Sequence, residues 1–218
     1  MSRLTPLLLV FVMLLAACGS KPRQPDWLVN ADGAQDRYQR AYLAGRDNVA
    51  QSEFNRLRAE LSSTGQPGLL ARAELTRCAM QVASLQFDPC TGFESLRADA
   101  PPAERAYADF LAGRLPLAEP QLLPEPYRAI AGGSATGSAA IEAIKDPFSR
   151  VIASAVLLRS ERADPGVLQL AADTASQQGW RRAVIAWLGA QAMRAEQAGA
   201  VEEAQRLRRR MAIAAGER

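Results

Sequence analysis

This chain marks three helix starts with an aspartate just ahead of proline: Asp99 before Pro101-Pro102, Asp146 before Pro147, and Asp164 before Pro165. An aspartate can accept hydrogen bonds from free backbone amides, and a proline has no amide to satisfy, so the pair marks a helix N-terminus. Helices are therefore predicted over 102–113, 147–161 and 165–178. Strand signals are poor, because β-branched residues are sparse and alanine, leucine, arginine, glutamate and glutamine dominate. The punctuation and the composition agree on an all-α protein.

Helical periodicity fills in the remainder. Gln35 to Gly45 precedes Asn48 to Leu61, in which Val49, Phe54, Leu57 and Leu61 fall close to one face. Leu69 to Leu85 carries a broad apolar band through Leu70, Leu75, Cys78, Met80 and Val82, the pattern of a buried helix. Trp180 to Gln197 and Val201 to Ala214 form a last pair hinged at Gly199. Residues 115–138 break the pattern with Pro116, Pro120, Pro124 and Pro126 followed by Gly132, Gly133 and Gly137. That stretch is either a linker between helical halves or a loop packed on the core; one continuous helical body, 34–218, with an irregular middle is the reading adopted.

The N-terminus has its own logic. Leu7 to Ala17 is an apolar run behind Arg3, closed by Leu15-Ala16-Ala17-Cys18. A basic start, a short apolar core and small residues at the cut define a secretory signal. The run is shorter than the roughly 20 apolar residues a bilayer span needs. Leu15-Ala16-Ala17-Cys18 resembles the lipobox of bacterial lipoproteins, in which the cysteine thiol receives a diacylglycerol and the preceding bond is cut. That resemblance implies a signal peptide over 1–17 and a chain lipidated at Cys18. Gly19 rather than aspartate then points to the outer membrane, periplasmic face, with inner-membrane retention the other outcome. Residues 18–33, with Lys21, Pro22, Arg23 and Pro25, read as a tether. At about 3.3 Å per residue, the tether could hold the domain some 50 Å from the lipid. Trp27, Leu28 and Val29 interrupt it and either dock on the domain or touch the membrane interface.

Composition excludes more than it assigns. The chain has no histidine, which removes His-dependent general bases, Ser-His and Cys-His nucleophile pairs and His-ligated zinc. With 26 basic against 23 acidic side chains, nothing suggests nucleic acid. Gly132 to Ser138 has the glycine spacing of a phosphate loop but no lysine after Gly137, so no nucleotide is expected, nor any cofactor. Cys78 and Cys90 are the two thiols left beside Cys18, an even pair in an oxidising compartment. A disulfide across so short a loop contributes roughly 3 kcal/mol on the loop-entropy model.

The first and last helix pairs share a pattern. Ala44-Gly45 is followed by Ala50 and Phe54, and Ala198-Gly199 by Ala204 at the same interval. This resembles the tetratricopeptide repeat, whose small residue permits close helix crossing and whose A-x-x-x-F carries the second helix's core face. Arg208 stands at the aromatic position of the last pair, and the interval between the glycines is no multiple of the roughly 34-residue repeat. The resemblance implies a degenerate stack of antiparallel helical hairpins rather than regular tandem repeats.

The functional expectation is a lipid-anchored helical scaffold or adaptor that binds a cell-envelope protein and is not an enzyme. Arg206, Arg209 and Arg210 share a face of the last helix and are the candidate partner contacts, although Glu202 and Glu203 sit at pairing distance from Arg206. A peptidoglycan-active enzyme would have to work through a carboxylate. Glu94-Ser95 resembles the Glu-Ser pair of lytic transglycosylases without the downstream segment of that family. Glu74, Glu104 and Glu142 read as ordinary polar-face residues, and no catalytic or metal-ligating residue is assigned. A carrier of a small apolar ligand is the further alternative, requiring a cavity of about 300 Å³ or more.

Overall fold

The computed structural model describes residues 24–216, and among these the chain is all-helical. The helices are α1 (Asp26–Leu43), α2 (Asp47–Ser62), α3 (Pro67–Ala83), α4 (Thr91–Glu94), α5 (Pro102–Leu111), α6 (Glu125–Ala131), α7 (Gly137–Glu142), α8 (Pro147–Arg159), α9 (Pro165–Gln177), α10 (Arg181–Gln197) and α11 (Val201–Ala215), with a 3₁₀ turn at Pro120–Leu122. The lipobox and Cys18 lie outside the described residues.

Asp146 and Asp164 cap their helices as the Asp-Pro signature predicts. The Asp146 carboxylate accepts from the Ser149 amide at 2.7 Å, and that of Asp164 from the Val167 amide at 3.0 Å. Asp99 departs from the expectation. The N-cap of α5 is Pro101, with no side-chain cap, because the Asp99 and Ala100 amides close tight turns onto Leu96 and Arg97 and leave the carboxylate outside the helix.

The tether ends earlier than predicted. Helix α1 begins at Asp26, so residues 26–33 are helical, and Trp27 packs on a core made by α1, α2 and one face of α3. Ala31 and Ala34 supply the apolar positions in this first half, a small-residue face that reads as featureless in the sequence. In α2, Phe54, Leu57 and Leu61 are buried as expected, but Val49 is exposed and Ala50 takes the core position.

Two apolar clusters organise the molecule. The smaller joins Tyr38, Tyr42, Phe54 and Leu57 to Ala73 and Met80 of α3. The larger gathers the opposite face of α3 with α5 to α11 around Trp187, whose indole donates to the Ala83 carbonyl at 3.0 Å. Phe148 and Trp180 meet edge to face, centroids 5.8 Å apart, against both clusters. Arg182 of α10 donates to the Tyr42 carbonyl at 2.8 Å and pairs with Asp47, tying the first hairpin to the last.

The irregular middle is packed on the core. Leu123, Tyr127, Ile130 and Ala131 are all buried, so this segment is a covering of the main cluster rather than a linker. Gly137 takes φ +72°, and its helix is started by the Asp164 carboxylate, which accepts from the Ser138 amide at 2.9 Å. One aspartate thus serves the N-termini of α7 and α9. The glycine-rich stretch is a turn into a short helix.

The paired hairpins follow the small-residue logic. Gly45 and Gly199 both adopt left-handed φ, +74° and +72°, and Ala50 and Ala204 are buried at the crossings. Arg208, at the aromatic position, is exposed and bonds Glu196 of α10 at 2.8 Å instead of filling a core.

Candidate functional site

A cleft of about 460 Å³ opens between α3, α5, the 3₁₀ turn, α6 and the start of α8. Its floor and walls are mostly apolar, from Leu75, Leu123 and the rings of Tyr107 and Tyr127, which stack with centroids 5.9 Å apart. Phe110 supports Tyr127 from the core side at 4.9 Å. Burial raises the pKa of both tyrosine hydroxyls, so each stays a neutral donor at any physiological pH. Charge is confined to one edge, where Arg72 grips the Glu104 carboxylate through Nε at 3.1 Å and Nη2 at 2.7 Å.

This arrangement follows from local structure. Pro101-Pro102 starts α5 beside Gly68, where an added Cβ would lie 3.3 Å from Pro101 Cδ, and this close approach aligns Glu104 with Arg72 and Tyr107 with Leu75. The prolines of the middle segment then place Leu123 and Tyr127 opposite. None of these residues stands out by spacing in the sequence. Phe110 is core, while Tyr107 is half core and half cleft wall.

Glu74 and Glu104 are not polar-face residues. Glu104 is nearly buried under Arg72, and Glu74 is fully buried on α3 between Arg58 of α2 at 3.0 Å and Arg77 at 2.8 Å. Neither Glu74 oxygen makes a directed hydrogen bond among the described residues, so the two guanidiniums balance it by charge. Arg77 also lies over the Phe54 ring, 4.8 Å from its centroid. Glu142 is exposed as expected. Arg58 reaches Glu74 from α2 and Arg72 reaches Glu104 from α3, so spacing along one helix reveals Arg77 alone of the three partners.

The remaining predicted residues are distributed as follows. Cys78 and Cys90 are brought to disulfide distance, Cα atoms 5.9 Å apart, joining the middle of α3 to the turn before α4. Arg206 is paired with Glu203 at 2.5 Å, and with Arg209 it borders a shallow depression at the α10–α11 turn that also contains Glu202. Arg210 is half-buried and does not border it. The three arginines therefore do not converge on one concavity. Glu94 is held by Arg97 at 2.7 Å, and this bond lowers its carboxyl pKa below the usual range.

An all-α hairpin stack with an aromatic, mostly apolar surface cleft is the class that fold and site define. Compared with models of protein families, with curated proteins and with solved structures, the chain matches none.

Proposed function

We propose that the protein is a lipid-anchored helical scaffold on the periplasmic face of the outer membrane, where it binds a cell-envelope protein through the tyrosine cleft. The observation that carries this reading is the cleft itself: apolar and aromatic over most of its lining, polar at one edge, and open to the surface. Tyrosine, an arginine at the rim and a desolvated apolar floor are the ingredients of an anchoring site for a partner's side chains. Membrane confinement would raise the effective concentration of partners in the same plane, so one such anchor can suffice.

The carboxylate-enzyme reading has less support. Glycan cleavage needs an acid with a raised pKa at a cleft floor. Glu104 sits at the edge of the cleft in the grip of Arg72, and Glu94 is shifted the other way by Arg97. A carrier of a small apolar ligand remains a second reading on one specific observation, a cleft volume above the roughly 300 Å³ such a site requires.

The test is crosslinking in native membranes followed by purification and mass spectrometry. Wild type is compared with Cys18→Ala and with Ala103→Trp, whose indole would fill the cleft from an exposed position on its rim. Recovery of one envelope protein with wild type, lost with Ala103→Trp at unchanged thermal stability, supports the adaptor. A partner that survives Ala103→Trp removes the cleft from the reading, and co-purified lipid without protein favours the carrier.

A further inference from the structure

The first turn of α1 carries three consecutive apolar residues, Trp27, Leu28 and Val29. Trp27 and Leu28 are half-buried, and Val29 is 53% exposed. Among the described residues, the other large exposed apolar side chains, Val49, Met193, Val201 and Ile213, do not form such a run. Helices α1 and α3 run parallel, since the Tyr42 hydroxyl at the end of α1 donates to Gln86 just beyond the end of α3 at 2.6 Å. The start of α1 therefore lies at the same end of the molecule as the starts of α3 and α5, and the α1–α2 turn, Ala44 to Arg46, lies at the far end. An 18-residue helix separates the two by about 27 Å.

With α1 beginning at Asp26, seven peptide steps separate Cys18 from Pro25. Even fully extended, these span about 25 Å, half the reach expected of a longer tether. Resting on the reading that Cys18 is acylated, we infer that Trp27–Val29 is a membrane-contact surface, lying on the phospholipid headgroup region and standing the domain on the start of α1. The short covalent reach keeps this turn beside the bilayer. A tryptophan with one face on protein and the other wet is suited to the interfacial layer, and an exposed valine beside it gains by leaving water. A bilayer is the occupant favoured over a protein because the anchor presents it to this turn at all times.

The experiment uses the full-length lipoprotein, with acylation checked by mass spectrometry, in phosphatidylethanolamine–phosphatidylglycerol vesicles. Spin labels are placed singly at Val29→Cys and Arg46→Cys, both exposed positions, and their collisions with oxygen and with a water-soluble nickel chelate are measured by power saturation. A turn resting in the interface should raise the oxygen-to-nickel ratio at Val29 about threefold over that at Arg46. Equal ratios on acylated protein overturn the contact surface and leave the lipid anchor standing. A chain without an acyl group overturns the anchor, and the inference with it.

Discussion

Glu74 shows how one residue can bind several elements together. Its carboxylate is fully buried, faces Arg58 from α2 and Arg77 from its own helix, and packs so closely on Gly92 that a Cβ there would lie 2.1 Å from Oε2. Removing one member of a buried ion pair leaves uncompensated charge, but both arginines here reach water and recover part of that loss. Glu74→Gln should therefore lower unfolding free energy by about 2–4 kcal/mol in urea titration. Gly92→Ala should cost about 1–3 kcal/mol, because the neighbour that must give is a carboxylate held at both oxygens. Burial has a parallel effect on the adjoining tyrosines: it pushes the Tyr42 hydroxyl up to about 12 and Tyr38 further still. Ultraviolet titration should show both silent below pH 11 while the fold persists.

At the scale of helices, Asp146 and Asp164 make a controlled comparison, since each caps a proline-led helix and only Asp164 also accepts from a second one. Asp146→Ala should cost about 1 kcal/mol and Asp164→Ala about twice that. The amides of Ser138 and Val167 lower the Asp164 pKa. Its contribution is present above the unfolded-state pKa near 4 and lost as pH falls through the lower folded value. The stability margin of wild type over Asp164→Asn should thus be constant above about pH 4 and shrink as pH falls below it, which acid titration of the two proteins checks. These capped starts were legible because cap and proline are neighbours in sequence. The hinge at Gly199 and the buried face of α2 were legible for the same reason of locality. The start of α1 was not, because alanines face its core, and neither was the cleft, because Leu75, Tyr107 and Tyr127 meet only after three elements have packed. The burial of Glu74 and Glu104 is not legible in sequence, because Arg58 and Arg72 come to them from other helices and an i,i+3 partner such as Arg77 is equally common on a solvated face.

Across the whole molecule, the two apolar clusters differ in depth. The smaller has twelve buried members, against a larger one centred on Trp187 and seven consecutive buried residues of α8, Val151 to Leu157. Native-state hydrogen exchange should find the amides of α1 and α2 opening at lower free energy than those of α8 and α10, by about 2 kcal/mol or more. Replacing Cys78 and Cys90 with serine should remove roughly 3 kcal/mol from the body by releasing its short loop. That loss should leave the order of opening unchanged, since α3 belongs to both clusters.

The placement of the smaller cluster has a mechanical meaning. Any tension drawn between the N-terminal segment and the rest of the chain enters at Asp26 and must cross α1 before it reaches the body. The load path from hairpin to body then runs through the Arg58–Glu74 pair, the Arg182–Tyr42 bond and the Tyr42–Gln86 bond, three links in parallel. Pulled from that end, the first hairpin should peel away as a unit and pay out length while the tyrosine cleft stays whole. The α1–α2 hairpin is in this sense a fuse, set between the N-terminal segment and the tyrosine cleft.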